Sequence, residues 1–217
     1  MNIESRATEA KKEEPVFELF NLTGEQTLKL RQEIEKHKGL IRVFVHPIVR
    51  TVKNHKRVED IFSRVVDSTK APPVIVLDNE DMMGKWKSSI NRVGHLLTNK
   101  IYLVPTLPDF PSPVIPGKPQ PPDRRNEGKM REEDFEYVHE GIVMLIKLLS
   151  GLGVKKIMVG ETSLDVLDDH LNYCVGNFIN LIKTIDKGNL ELKLSMGTAP
   201  KSKTDIQKTR PGLVKDL

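Results

Sequence analysis

Apolar residues recur along this chain in two alternating patterns. Short unbroken runs, "LIRVFVH" (Leu40–His46), "VIVLD" (Val74–Asp78), "KIYLVP" (Lys100–Pro105), "KKIMVG" (Lys155–Gly160) and "LELKLS" (Leu190–Ser195), have the length and β-branched content of strands. Between them, apolar positions space at three and four, the period of a helix face. Thr23-Gly24-Glu25-Gln26 has capping-box spacing and predicts a helix from there to about Lys38, stopped by Gly39. Val58, Ile61, Phe62, Val65 and Val66 predict a second helix within Lys56–Thr69, ended by Pro72-Pro73. Met83, Trp86, Ile90, Val93 and Leu97 predict a third. Phe135, Val138, Ile142, Leu145, Ile146 and Leu149 predict a fourth, and Leu167, Leu171, Cys174, Phe178, Ile179 and Ile182 a fifth.

Strands alternating with helices long enough to cross back predict an α/β fold. The continuity of "IRVFV", "VIVL" and "IMV" suits strands buried on both faces. The expected architecture is a three-layer α/β/α sandwich around a mostly parallel five-stranded sheet, Rossmann-like or flavodoxin-like. A single α/β domain is expected over 16–198. Residues 1–15 mix four acidic with three basic groups and read as a flexible arm, and 199–217 read as a flexible, mildly basic tail.

The alternation is interrupted once. Eight of the fourteen prolines fall between Pro105 and Pro122. Such a run disfavours helix and favours extended backbone. It makes a Pro-rich insertion after the third strand, over 105–131, that is either a lid over a binding site or a disordered loop.

Charge and cysteine content narrow the chemistry. Thirty-four basic and 30 acidic residues in 217 leave a net charge of +4, so nucleic acid is not an expected partner. One cysteine, Cys174, excludes an internal disulfide framework and a Cys-rich zinc site, and its place on an apolar stripe reads as core filler. No apolar run approaches the roughly 20 residues of a membrane helix, and the N-terminus lacks the apolar region of a secretory signal. A cytoplasmic protein with no membrane partner is the expectation.

In parallel sheets, ligands bind outside the carboxyl ends of the strands, near a reversal of strand order. That rule gathers the candidate residues. His46, at the end of the first run, is a candidate proton donor and acceptor or metal ligand; the plainer alternative is a strand-end histidine beside a ladder-stopping Pro47. Arg50 follows as a candidate for a phosphate or carboxylate. Asp78 and Asn79 end the second run, within Asp78-Asn79-Glu80-Asp81. They would orient a base or bind ribose hydroxyls or Mg²⁺, or simply cap the next helix. Thr106 ends the third run. Glu161, Thr162 and Ser163 follow the fourth, where hydroxyls at a helix start would cradle an anion or cap the helix.

His46, Asp78 and Glu161 are thus the catalytic candidates, with Arg50, Asn79, Thr106, Thr162 and Ser163 as ligand-binding ones. No phosphate-binding glycine loop, dinucleotide fingerprint or nucleophile elbow occurs, so no cofactor is named and no metal site is assigned. Two functions compete. One is binding or turnover of a small polar or phosphorylated metabolite at the strand ends. The other is a non-catalytic interaction module that uses the Pro-rich segment and basic tail to bind protein or RNA.

Overall fold

The computed structural model describes residues 16–46, 71–93, 101–107, 110–121, 131–159 and 175–194. Six strands are present among them: β1 Val16–Glu18, β2 Leu40–Val45, β3 Val74–Asn79, β4 Ile101–Thr106, β5 Lys156–Val159 and β6 Glu191–Leu194. The helices are α1 Gly24–Lys36, α2 Glu80–Val93, α3 Glu132–Gly151 and α4 Gly176–Asp186. The strands form one sheet in the order β1-β4-β3-β2-β5-β6, and every pairing is parallel.

The sheet corrects the expectation of five strands. β1 has three residues, too few to show a period of two. Its place is fixed by partners about 85 positions away, Val16 opposite Ile101 and Glu18 opposite Leu103. Phe17 and Tyr102, opposite each other in that register, stack with ring centroids 5.9 Å apart.

Both faces of the central strands are buried. Ile41, Val43, Val45, Ile75, Leu77, Tyr102, Val104, Ile157 and Val159 share one face. They pack with Leu30 and Ile34 of α1, Ile142, Leu145 and Leu149 of α3, and Phe178 and Ile182 of α4. The alternate residues Phe44, Val74, Val76, Ile101 and Leu103 are also buried. Among the described residues, none of α2 belongs to this cluster, and α2 packs against β3 and β4. It therefore covers the opposite face, as a right-handed β3-α2-β4 crossover requires.

Local signals account for the helix bounds. Thr23 caps α1: its Oγ1 accepts from the Gln26 N–H at 3.3 Å, and the Gln26 Oε1 accepts from the Thr23 N–H at 2.8 Å. The stripe predicted for α3 holds from Val138 to Leu149, but Phe135 is 57% exposed. A 20-residue helix is about 30 Å long, whereas strands of four to six residues span about 13–20 Å. The first turn of α3 overhangs the sheet. The helix expected over Lys56–Thr69, the first half of the Leu167–Ile182 stripe including Cys174, the N-terminal arm and the C-terminal tail lie outside the described residues.

The chain steps from β2 to β3 to β4 in one direction and then places β5 and β6 beyond β2 on the other side. The order reverses between β2 and β5, so the carboxyl end of β2 borders the reversal.

Candidate functional site at the carboxyl ends of the strands

β2 ends at Val45, and His46 carries the ladder one residue further, its N–H donating to the Leu77 carbonyl at 2.7 Å. The backbone then leaves the sheet, with φ of His46 at +44°. That left-handed region is uncommon for a residue with a Cβ, although histidine enters it more readily than most. His46 is buried, and its ring Nε2 lies 2.8 Å from the Thr106 hydroxyl. His46 follows β2 and Thr106 ends β4, with β3 between them. Adjacent strands are about 4.8 Å apart, so this contact spans roughly 9–10 Å of sheet. The imidazole reaches across the end of β3.

Asp78 and Asn79 lie at that end. Asp78 is 1% exposed, and its Oδ1 accepts from the Asn79 N–H at 2.9 Å. Asn79 sits opposite Thr106 in the register. Its Oδ1 accepts from the Met82 N–H at 3.1 Å, which makes it the cap of α2. The capping alternative is thus realised at Asn79 and leaves Asp78 beside it as a buried carboxylate. Glu80 and Asp81 occupy the first turn of α2, where the helix dipole favours their negative charge and where their carboxylates repel a further anion.

Four of the eight candidates, His46, Asp78, Asn79 and Thr106, therefore lie at the carboxyl ends of three neighbouring strands. Arg50, Glu161, Thr162 and Ser163 lie outside the described residues.

The proline-rich stretch begins at the same place. Thr106 forms an antiparallel bridge with Pro113, the Leu107 N–H donates to the Ser112 carbonyl at 3.1 Å, and the Val114 N–H donates to the Pro105 carbonyl at 2.7 Å. The chain folds back on the end of β4 and then lies on α3. Ser112 is fully buried, and its hydroxyl donates to the Val138 carbonyl at 2.9 Å. The Ile115 N–H donates to the Tyr137 Oη at 2.9 Å. Leu107, Ile115, Tyr137 and Val138 make a small core of their own, with Phe110 and Met144 packed against it.

Further along, Lys118 pairs with Glu140 of α3, and the Gln120 Nε2 donates to the Glu80 Oε1 at 3.0 Å. α3 lies on one face of the sheet and Glu80 starts the helix on the other. The segment thus runs from α3 to α2 past the strand ends that carry Asp78 and Thr106. The lid alternative for 105–131 covered Ser112 and Gln120, but Tyr137 and Gly141 were not anticipated as its neighbours. The one available cue was Gly141, an isolated glycine within a helical pattern, which often marks a close backbone approach.

A concavity of about 350 Å³ lies away from these strand ends, at the β1 edge between Phe17, Glu18, Asn21, Gln26 and Lys87. The Glu18 carboxylate accepts from the Lys87 Nζ at 2.5 Å and the Asn21 Nδ2 at 2.8 Å. The lysine first, then the asparagine, hold its carboxyl below the usual carboxylate range. Among the described residues, no group of three or more His, Cys, Asp or Glu is arranged to hold a metal ion, and no helix is long and apolar enough to cross a membrane. The chain matches no family model, no curated protein and no solved structure.

Proposed function

We propose that this protein binds, and through His46 acts on, a small polar metabolite held at the carboxyl ends of β2, β3 and β4. The observation that carries this reading is the buried His46 imidazole, set on a left-handed backbone and drawn across the sheet to Thr106. Unfavourable backbone conformations persist where surrounding structure imposes them, and they cluster at functional sites. Imidazole is the side chain best suited to move a proton near neutral pH.

The strand order supports a Rossmann-like reading. Counted from β2, the five strands β4-β3-β2-β5-β6 run 3-2-1-4-5, the doubly wound order whose ligands sit at the reversal. No glycine-rich loop follows β2, which argues against a dinucleotide. In this reading Asp78 orients the base or the ligand's hydroxyls, and Thr106 holds the ring. Acidic Glu80 and Asp81 steer any phosphate away from α2. The competing role as an interaction module loses support where Pro111, Pro113 and Ile115 are buried, because those residues are used within the chain itself.

The test is a thermal-shift screen against nucleotides, sugar phosphates, amino acids and organic acids, repeated with His46→Asn and Asp78→Asn. A ligand present at a hundred times its dissociation constant stabilises by about 2.7 kcal/mol. One chemical class should raise the melting temperature of the wild type and lose that effect in the variants. A shift that survives both substitutions would place the ligand elsewhere.

A further inference from the structure

The contacts of the proline-rich strap change in kind at Gly117. Before it, the strap is fixed: Ser112 is fully buried, Ile115 is 9% exposed, and both are hydrogen-bonded to α3. Pro113 lies against Gly141 so closely that no Cβ would fit between them. Past Ile115, residues 116–120 are all exposed; the Lys118 N–H closes a turn onto the Ile115 carbonyl at 3.2 Å, and two side-chain contacts hold the tip, Lys118 to Glu140 and Gln120 to Glu80. The Lys118 and Glu140 side chains are themselves about half exposed. Gly117 has a φ of +78°, and a Cβ built there would meet nothing within 4 Å. It thus joins the two parts through a conformation natural to glycine, with open space around it.

The two contacts of the tip stand on opposite sides of the sheet. Glu140 belongs to α3, and Glu80 is the first residue of α2, directly after Asn79. Between these two points lie the ends of β3 and β4. We propose that the strap is a fixed root with a releasable tip: residues 118–121 swing about Gly117, and release of Lys118 from Glu140 and of Gln120 from Glu80 opens the strand ends around His46. This inference rests on the reading of those strand ends as a binding site and adds the gate that controls entry to it. Hinged segments of this kind admit a ligand and then exclude water.

The chemistry of the two contacts makes the gate easy to move. Exposed ion pairs and hydrogen bonds to exposed carboxylates are weak and sensitive to salt. Each therefore shifts the closed–open equilibrium by a factor of about two to five. Losing both should raise the open population about tenfold.

The experiment needs no ligand, so a failed metabolite screen leaves it intact. Access to His46 is read as its rate of carbethoxylation by diethyl pyrocarbonate, resolved by peptide mass spectrometry. The root is read as hydrogen exchange at the Val114 and Ile115 amides. In Glu80→Ala/Glu140→Ala, His46 should react about tenfold faster than in wild type, with both root amides still protected. Raising salt on the unmodified protein should increase His46 labelling in the same direction. An unchanged His46 rate in the double variant overturns the gate. Loss of protection at Val114 and Ile115 together with the tip overturns the division at Gly117.

Discussion

His46 and Thr106 touch across an intervening strand: the ring Nε2 and the hydroxyl are 2.8 Å apart although β3 separates β2 from β4. A buried polar contact is costly to leave half made, because the remaining partner has lost water and gained nothing. Thr106→Val keeps the shape of the side chain and removes the hydroxyl. The variant should lose about 1–3 kcal/mol in urea unfolding, and the His46 ring resonances should shift. Unchanged stability together with an unmoved ring would show that the two groups do not interact in solution.

The backbone at His46 gives a second test that separates strain from side-chain contact. With φ at +44°, any residue with a Cβ is disfavoured there. His46→Ala and His46→Gly both delete the imidazole, so both lose its contacts. Only glycine also relieves the left-handed backbone. The glycine variant should be the more stable of the two by about 1 kcal/mol, less the extra chain entropy glycine carries in the unfolded state. An alanine variant more stable than the glycine one by about 0.5–1 kcal/mol, the chain-entropy difference alone, would mean that the left-handed conformation does not persist in solution.

Local signals made much of this visible in the sequence. β2, β3 and β4 are continuous apolar runs, and Thr23 and Gln26 stand at capping-box spacing, so short windows were enough to find them. The rule of carboxyl ends then gathered His46, Asp78, Asn79 and Thr106 without coordinates. β1 was missed because three residues show no period and its pairing depends on a strand far along the chain. Phe135 was misplaced because a helical stripe says which side is apolar, not how far the neighbouring sheet extends. The reach of His46 to Thr106, and the docking of Ser112 on Val138, join residues 60 and 26 positions apart. No local pattern encodes such contacts, since they depend on the order in which the strands lie.

At the far edge of the sheet, Glu191 is bonded to Lys156 at 2.7 Å and to Lys193 at 2.9 Å. The Lys156 hydrogen bond first, then that of Lys193, lower its carboxyl from 4.5 to about 2. A carboxyl depressed in the folded state stabilises the fold above its unfolded value and loses that contribution as pH falls through the folded one. The stability gap between wild type and Glu191→Gln should therefore be present above pH 4.5 and close as the pH approaches 2. The group is exposed, so the gap should be small and should shrink in high salt. A Glu191 side chain that titrates near 4.5 by NMR would mean that the two lysines do not hold it in solution.

Gly141 offers the sharpest prediction, because two physical effects oppose each other there. It lies within α3, where replacing glycine by alanine ordinarily gains about 1 kcal/mol of helix stability. A Cβ at this position would come within 2.5 Å of the Pro113 carbonyl oxygen and 2.6 Å of the Ser112 hydroxyl. The carbonyl belongs to backbone held by the Thr106–Pro113 bridge and the bond from Val114 to Pro105, so it cannot turn aside as a flexible side chain would. Either the strap root lifts from α3, giving up the Ser112–Val138 and Ile115–Tyr137 bonds, or the helix shifts and disturbs the packing of Ile142. Overpacking of this kind costs about 1–3 kcal/mol, which exceeds the propensity gain at all but the lower end of that range. Gly141→Ala should therefore be destabilised in urea unfolding, with faster amide exchange at Ile115. Gly151→Ala, at the end of the same helix with nothing within 4 Å of its Cβ, is the matched control and should not be destabilised in that way. If Gly141→Ala instead stabilises the protein, the strap does not rest on α3 as described, and the root of the proposed gate is not fixed.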